Sequence, residues 1–338
     1  MKNLVSIILI AFAINSCNQE GTITLSGNLI GGAMDTLILE NKAKPLNDGI
    51  QKSEHYIPVN EDGGFSYEIK DKVGYYSLKS KSKIMRNPLL IFLKPKQPVI
   101  LDIQTKDWLY KKEYEVHNSP ENQYLKAFDL AKNEFRRNNN PRKTELDEYL
   151  KELDSLRLML VANLNETLSS INRPSSIFQE NESKKIVSLI SFFKEDYAAR
   201  SGNSTLPENY FDFRSELNYN DEELLALDFT YGMTIRRFIS NETKRTLPEG
   251  EDWIIHQIKT CINNISNQSI IDYVLINEVE LNLPYSSRYD EAIELFLSNC
   301  SNERYRKMAS EKYQIYLNTK PGNLSPKFTD YENYDGGT

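Results

Sequence analysis

Cysteine is scarce in this chain, with three among 338 residues, and no two of them form a CxxC. So sparse a set excludes a disulfide-stapled scaffold. Histidine is equally sparse: His55, His117 and His256 lie in unlike segments, with no HxxxH, HExxH or Cys/His cluster. Each reads as a satisfied or exposed imidazole, and no metal site is expected. The sequence lacks GxSxG, a P-loop and a dinucleotide fingerprint. Its formal charge of −7 is spread along the chain, without a basic block carrying interleaved aromatics. Nucleic acid is therefore excluded as an expected partner. After the first twenty residues no stretch is apolar enough for a membrane helix.

What is present begins with "MKNLVSIILIAFAINSCNQE". Lys2 precedes an apolar run from Leu4 to Ile14, too short to span a bilayer and of the length of a signal-peptide core. Ile14-Asn15-Ser16-Cys17 resembles a bacterial lipobox. That resemblance implies cleavage before Cys17 and lipidation of its thiol, with residues 1–16 as the signal peptide. The alternative is an ordinary signal peptide with a chance cysteine. Anchoring would place the protein in the cell envelope, at the outer membrane facing the periplasm, held by its acyl chains. An oxidising envelope permits a bridge between Cys261 and Cys300; two separate buried thiols are the alternative reading.

Residues 17–117 read as β. Ile23 and Leu25 alternate in "GTITLSGNL", and Phe65, Tyr67 and Ile69 share one face after the glycine turn of "NEDGGFSYEI". "DTLILEN", "GYYSLKS", "NPLLIFLKP" and "QPVILDIQT" follow at short spacing, which predicts a small antiparallel β-sandwich. The continuous run Leu89 to Leu93 predicts a strand buried on both faces. Near Asn118-Ser119-Pro120 the period changes to that of a helix, and residues 118–319 read as an all-α domain of seven or eight helices. One helix carries the stripe Leu146, Leu150, Leu153, Leu160, Leu164, Leu168 and Ile171, a bundle-core pattern. "DEELLALDFTYGMTIRRFIS" reads as a single helix with an acidic start. The fold class is thus α+β. Tyrosines, 20 in all, offer core packing first and the lining of a ligand cleft second.

The order of these parts, with the β pattern and the closing "KPGNLSPKFTDYENYDGGT", resembles the lipid-anchored TlpA-like thiol–disulfide oxidoreductases. Gly322, Pro326, Phe328, Asp335 and Gly336 match the opening of that family's thioredoxin-like domain, while Ser325 replaces its usual alanine. The resemblance implies that residues 320–338 are the first edge of a thioredoxin-like domain whose remainder, with its CxxC, is absent. A full-length relative would be a protein disulfide reductase. No catalytic residue carries over to this chain, and no cofactor is implied. Two functions are expected to compete. One is a non-catalytic accessory portion of such a reductase, positioning the redox module or selecting an envelope client. The other is an independent envelope binding or scaffold lipoprotein for a peptide, protein or glycan. A hydrolase without a familiar motif is a third and lesser class.

The anchoring expectation is open to a direct check. The mature protein should fractionate with membranes, and Cys17→Ser should release it or leave the precursor uncleaved. Unchanged processing and partitioning of that variant would remove the lipid anchor.

Overall fold

The computed structural model describes residues 21–31, 35–42, 54–82, 85, 88–105, 113–201, 206–279 and 282–319. The signal segment, Cys17 and residues 320–338 therefore lie outside the described residues. The chain divides into two compact units, residues 1–234 and 235–338. The change of period at 117/118 is a change of secondary structure inside the first unit.

The first unit opens with eight strands: β1 (Gly21–Ile30), β2 (Thr36–Asn41), β3 (Glu54–Pro58), β4 (Gly64–Asp71), β5 (Gly74–Ser80), β6 (Leu89–Leu93), β7 (Val99–Gln104) and β8 (Glu113–His117). They form two four-stranded sheets, ordered β4-β1-β7-β8 and β3-β2-β5-β6. In the first sheet, inward residues alternate with exposed ones, as a period of two requires when one face meets solvent. Ile23, Leu25 and Leu29 of β1 point inward with Val99, Leu101 and Ile103 of β7. The expected sandwich is present, with one departure from an all-antiparallel arrangement. β1 and β7 run parallel, from Leu25 opposite Val99 to Ile30 opposite Gln104. A parallel pair needs a long crossover, and the whole second sheet lies between these two strands in sequence.

In the second sheet β2, β5 and β6 are buried on both faces, while the edge strand β3 exposes Tyr56. Leu89, Ile91 and Leu93 of β6 join the sandwich core, while Phe92 faces a second, helical core together with Tyr75 of β5. Three long helices supply that core: α1 (Pro120–Asn138), α2 (Leu146–Ser170) and α3 (Ser176–Arg200). Ser119 caps α1 and Pro120 occupies its first turn, a strong start signal. From the leucine stripe of α2, Leu153, Leu160 and Leu164 are buried, and Tyr149 and Leu156 join them. α3 is buried almost all round, from Phe178 to Tyr197, as befits a helix between a sheet and other helices.

The segment read as one helix is two. α4 (Glu222–Leu227) stops at Asp228, which is extended, and α5 (Phe229–Thr246) begins directly after it. The Asp228 carboxylate accepts from the amides of Thr230 and Tyr231, so its side chain competes with the helix and caps the next one.

The second unit takes in α5 from Ile235 onward, then α6 (Trp253–Asn264) and α7 (Gln268–Val274), which continues as a π-helical stretch, Leu275–Val279. α8 (Tyr289–Asn299) and α9 (Glu303–Thr319) follow. Asp252 caps α6 through the amides of Ile254 and Ile255. Ile258, Ile270, Val274 and Phe296 are fully buried in this unit.

One glycine fixes the parallel seam of the first sheet. Gly27 has φ +149°, and a Cβ there would lie 1.7 Å from the Leu101 carbonyl oxygen. Gly27→Ala should cost more than about 3 kcal/mol, because neither backbone can give way without breaking the ladder. Gly74→Ala, whose new Cβ would meet nothing within 4 Å, should stay within about 1 kcal/mol of the parent. Denaturant unfolding of both variants checks the pair.

Candidate functional site

In the first unit, the seam between the second sheet and the helices is aromatic and polar at once. Tyr75 and Phe92 meet edge to face at 5.0 Å, and Phe178 of α3 lies 5.0 Å from Phe92. Beside these rings sits Glu182, fully buried on α3. It accepts from the Tyr75 hydroxyl at 2.7 Å and from Lys185 at 2.8 Å. The Lys185 ammonium also stands 5.1 Å from the centre of the Tyr75 ring. Burial holds the Glu182 carboxyl above the usual carboxylate range, against the opposing pull of Lys185 and Tyr75. The folded chain thus binds this proton more tightly than the unfolded chain. The stability that Glu182 contributes falls as pH rises above the ordinary carboxylate range. Burial likewise pushes the Tyr75 hydroxyl well above its usual value, helped by Glu182. Lys94 at the end of β6 makes a second tie, 2.6 Å from buried Glu121 of α1.

At one end of this seam lies an open cleft of about 360 Å³, floored by Val73, Tyr75, Ile177 and Leu227. It falls within the size range of small-ligand sites, near its lower end. Tyr75 thereby fills both roles expected of the tyrosines: its ring packs in the core and also lines the cleft.

The second unit holds a polar groove of about 390 Å³ around His256. The His256 Nδ1 is 3.0 Å from Glu251, and its Nε2 is 2.9 Å from the Thr246 hydroxyl. In outline this is a hydroxyl–imidazole–carboxylate chain. The Thr246 hydroxyl, however, donates to the Glu242 carbonyl one turn back, at 2.8 Å. The carbonyl and the imidazole thus compete for the single hydroxyl proton of Thr246. Lys259 occupies the other Glu251 oxygen at 2.6 Å. The chain acts as a clamp between the end of α5 and the start of α6. His117 is exposed and lies 3.1 Å from Asp102; His55 sits near the Tyr67 ring. Among the described residues no group of three or more His, Cys, Asp or Glu side chains could hold a metal ion.

The bridge envisaged between Cys261 and Cys300 is not formed; both thiols are free and buried. Cys261 lies on the inner face of α6, where burial, with Asp272 nearby, pushes its thiol up to about 12. Cys300 closes α8, and its sulfur is directed at the Asn302 carbonyl, 3.9 Å away. Burial pushes that thiol up to about 11, again with Asp272 contributing. Cys17 lies outside the described residues. Among the described residues no helix is long and apolar enough to cross a membrane.

Glu182 and Lys185 sit in "ENESKK", whose charge is that of an ordinary solvated helix start, and nothing in the pattern marks them as buried. Comparison with protein-family models, with curated proteins and with solved structures found no match to this chain.

The Glu182–Lys185 pair should be strongly coupled. Glu182→Gln and Lys185→Met should each cost about 3–5 kcal/mol by stranding the partner in the interior. The double variant should cost clearly less than their sum. A double-mutant cycle by denaturant unfolding checks this, and simple additivity would show that the two groups act independently.

Proposed function

We propose that this chain is the non-catalytic accessory portion of an envelope thiol–disulfide oxidoreductase lipoprotein, positioning a redox module near the membrane or selecting its client. The observation that carries the non-catalytic half is the state of the two described thiols. Burial, with Asp272 nearby, pushes the Cys261 thiol up to about 12, so its thiolate is scarce near neutral pH. Thiol–disulfide exchange needs a thiolate with access to its target and a second thiol to resolve the mixed disulfide. Neither buried cysteine meets that need, and no CxxC stands in the sequence. The accessory half rests on the resemblance in order and pattern to the TlpA-like proteins, and on a sandwich and helices packed into one compact unit. Attachment through Cys17, at the outer membrane facing the periplasm, belongs to the same proposal.

A second reading is favoured by one feature, the open cleft beside Tyr75. In that reading the chain is an independent envelope lipoprotein that binds a peptide, protein or glycan.

The chain alone should show no turnover of a small disulfide above the reductant blank, and Cys261 and Cys300 should resist alkylation at pH 8 until the protein is unfolded. Turnover that disappears on Cys261→Ser or Cys300→Ser would overturn the non-catalytic assignment. Fusion to a thioredoxin-fold module bearing its own CxxC should change that module's rate or client choice. A folded fusion with neither change would leave the binding reading in place.

A further inference from the structure

One end of the sandwich lies within a short chain length of the cysteine read as the lipid-attachment site. β1 begins at Gly21, and three residues separate it from Cys17 in the sequence. Four Cα–Cα steps reach at most about 14 Å when fully extended. Strand register sets what surrounds Gly21. It lies opposite Asp71 of β4, and Thr22 lies opposite Lys70. The Thr22 carbonyl accepts from the Lys96 amide at 3.0 Å, so the turn between β6 and β7 closes the same end. This end therefore carries Lys70, Lys72, Lys94 and Lys96. Lys94 is engaged with buried Glu121. Lys70, Lys72 and Lys96 are exposed and make no ion pair among the described residues. The acidic residue beside them, Asp71, already accepts from the Asn41 side chain and the Lys72 amide. Glu68, the next carboxylate along β4, lies farther from this end, opposite Thr24.

We propose that the Gly21 end of the sandwich lies against the membrane, with Lys70, Lys72 and Lys96 on the phosphates of anionic phospholipid head groups. This builds on the reading of Cys17 as the lipid-attachment site and names the surface which that reading leaves open. Acyl chains fix only the point of attachment; the lysines fix which end of the sandwich faces the bilayer. The attraction of a charged surface fades beyond about a Debye length, ~8 Å at physiological salt. It therefore acts here because the tether is short and keeps the bilayer at high effective concentration. An acidic protein has no such tether to this end, which is why the membrane is the favoured partner.

The test uses the lipidated full chain in phosphatidylcholine vesicles, with and without about a third phosphatidylglycerol. Acetylation of each lysine by a water-soluble reagent is timed by mass spectrometry. Lys70, Lys72 and Lys96 should react about fivefold more slowly in the anionic vesicles. Lys81, just past the far end of β5, should keep its rate. Raising KCl to about 0.5 M should remove the protection. In the double variant Lys70→Gln with Lys72→Gln, Lys96 should react nearly as fast as in neutral vesicles. Equal rates in the two vesicles, equal slowing of Lys81, or protection that persists in high salt would each overturn the proposal. Protection in native membranes but in neither vesicle would assign the lysines to an acidic protein and overturn it as well. The mass of the mature chain shows separately whether Cys17 carries lipid. If it does not, the anchoring reading fails on that measurement alone. Cys17 is then coupled to a maleimide lipid in the same vesicles, Cys261 and Cys300 being buried, and the same lysine rates decide the surface.

Discussion

The first unit depends on covering the outer face of its second sheet. A small sandwich ordinarily leaves both outer faces to solvent, and one face of β5 and β6 would then expose Tyr75, Leu90 and Phe92. The helices exist as a layer because that face must be buried, and α3 is buried nearly all round, with polar as well as apolar side chains, because it lies between the sheet and its neighbours. Ring contacts such as Phe92 to Phe178 each add about 0.5–1.5 kcal/mol beyond the area they bury. The sandwich and the first helices therefore share a core, and neither is complete without the other.

The ion pairs at this junction serve a different end. Glu121, Glu182 and Glu195 are buried almost completely, each with a lysine or arginine beside it. Arg214 grips Glu195 through two nitrogens, at 2.7 and 3.0 Å. Such pairs contribute little net stability, since desolvation offsets most of the attraction. The Lys94–Glu121 pair and the Tyr75–Glu182 hydrogen bond join helix to sheet, so a shift by one turn would take these partners from two buried carboxyls; Lys185 lies on the same helix as Glu182 and moves with it. The Glu182–Tyr75–Lys185 cluster thus acts on the choice of packing more than on net stability.

Much of this fold was legible in the sequence because period carries the information. The alternation of Ile23 and Leu25, the double-faced run at Leu89 and the leucines of α2 all act locally, and all fell where the pattern put them. Asp228 was not legible as a break, because apolar residues continue on both sides of it and only its side-chain bonds to Thr230 and Tyr231 reveal the cap. The parallel pairing of β1 with β7 was also hidden, since strand order is a property of the whole chain. The cleft was the least legible part. Its lining comes from segments more than a hundred residues apart, and one member, Asn181, is a polar residue whose burial is set entirely by tertiary packing.

Asn122 completes the account of the second sheet. Its side-chain amide accepts from the Phe92 amide and donates to the Phe92 carbonyl, each at 2.7 Å. In this way one residue of α1 imitates a neighbouring strand along the edge of β6. An open strand edge is a template for pairing with other chains. During synthesis β6 emerges well before α1 can dock, so this edge stays uncovered until the first turn of that helix forms. The window for misassembly is thus set by how quickly Ser119 and Asn122 close the helix start onto the sheet, rather than by the speed at which the strands themselves pair.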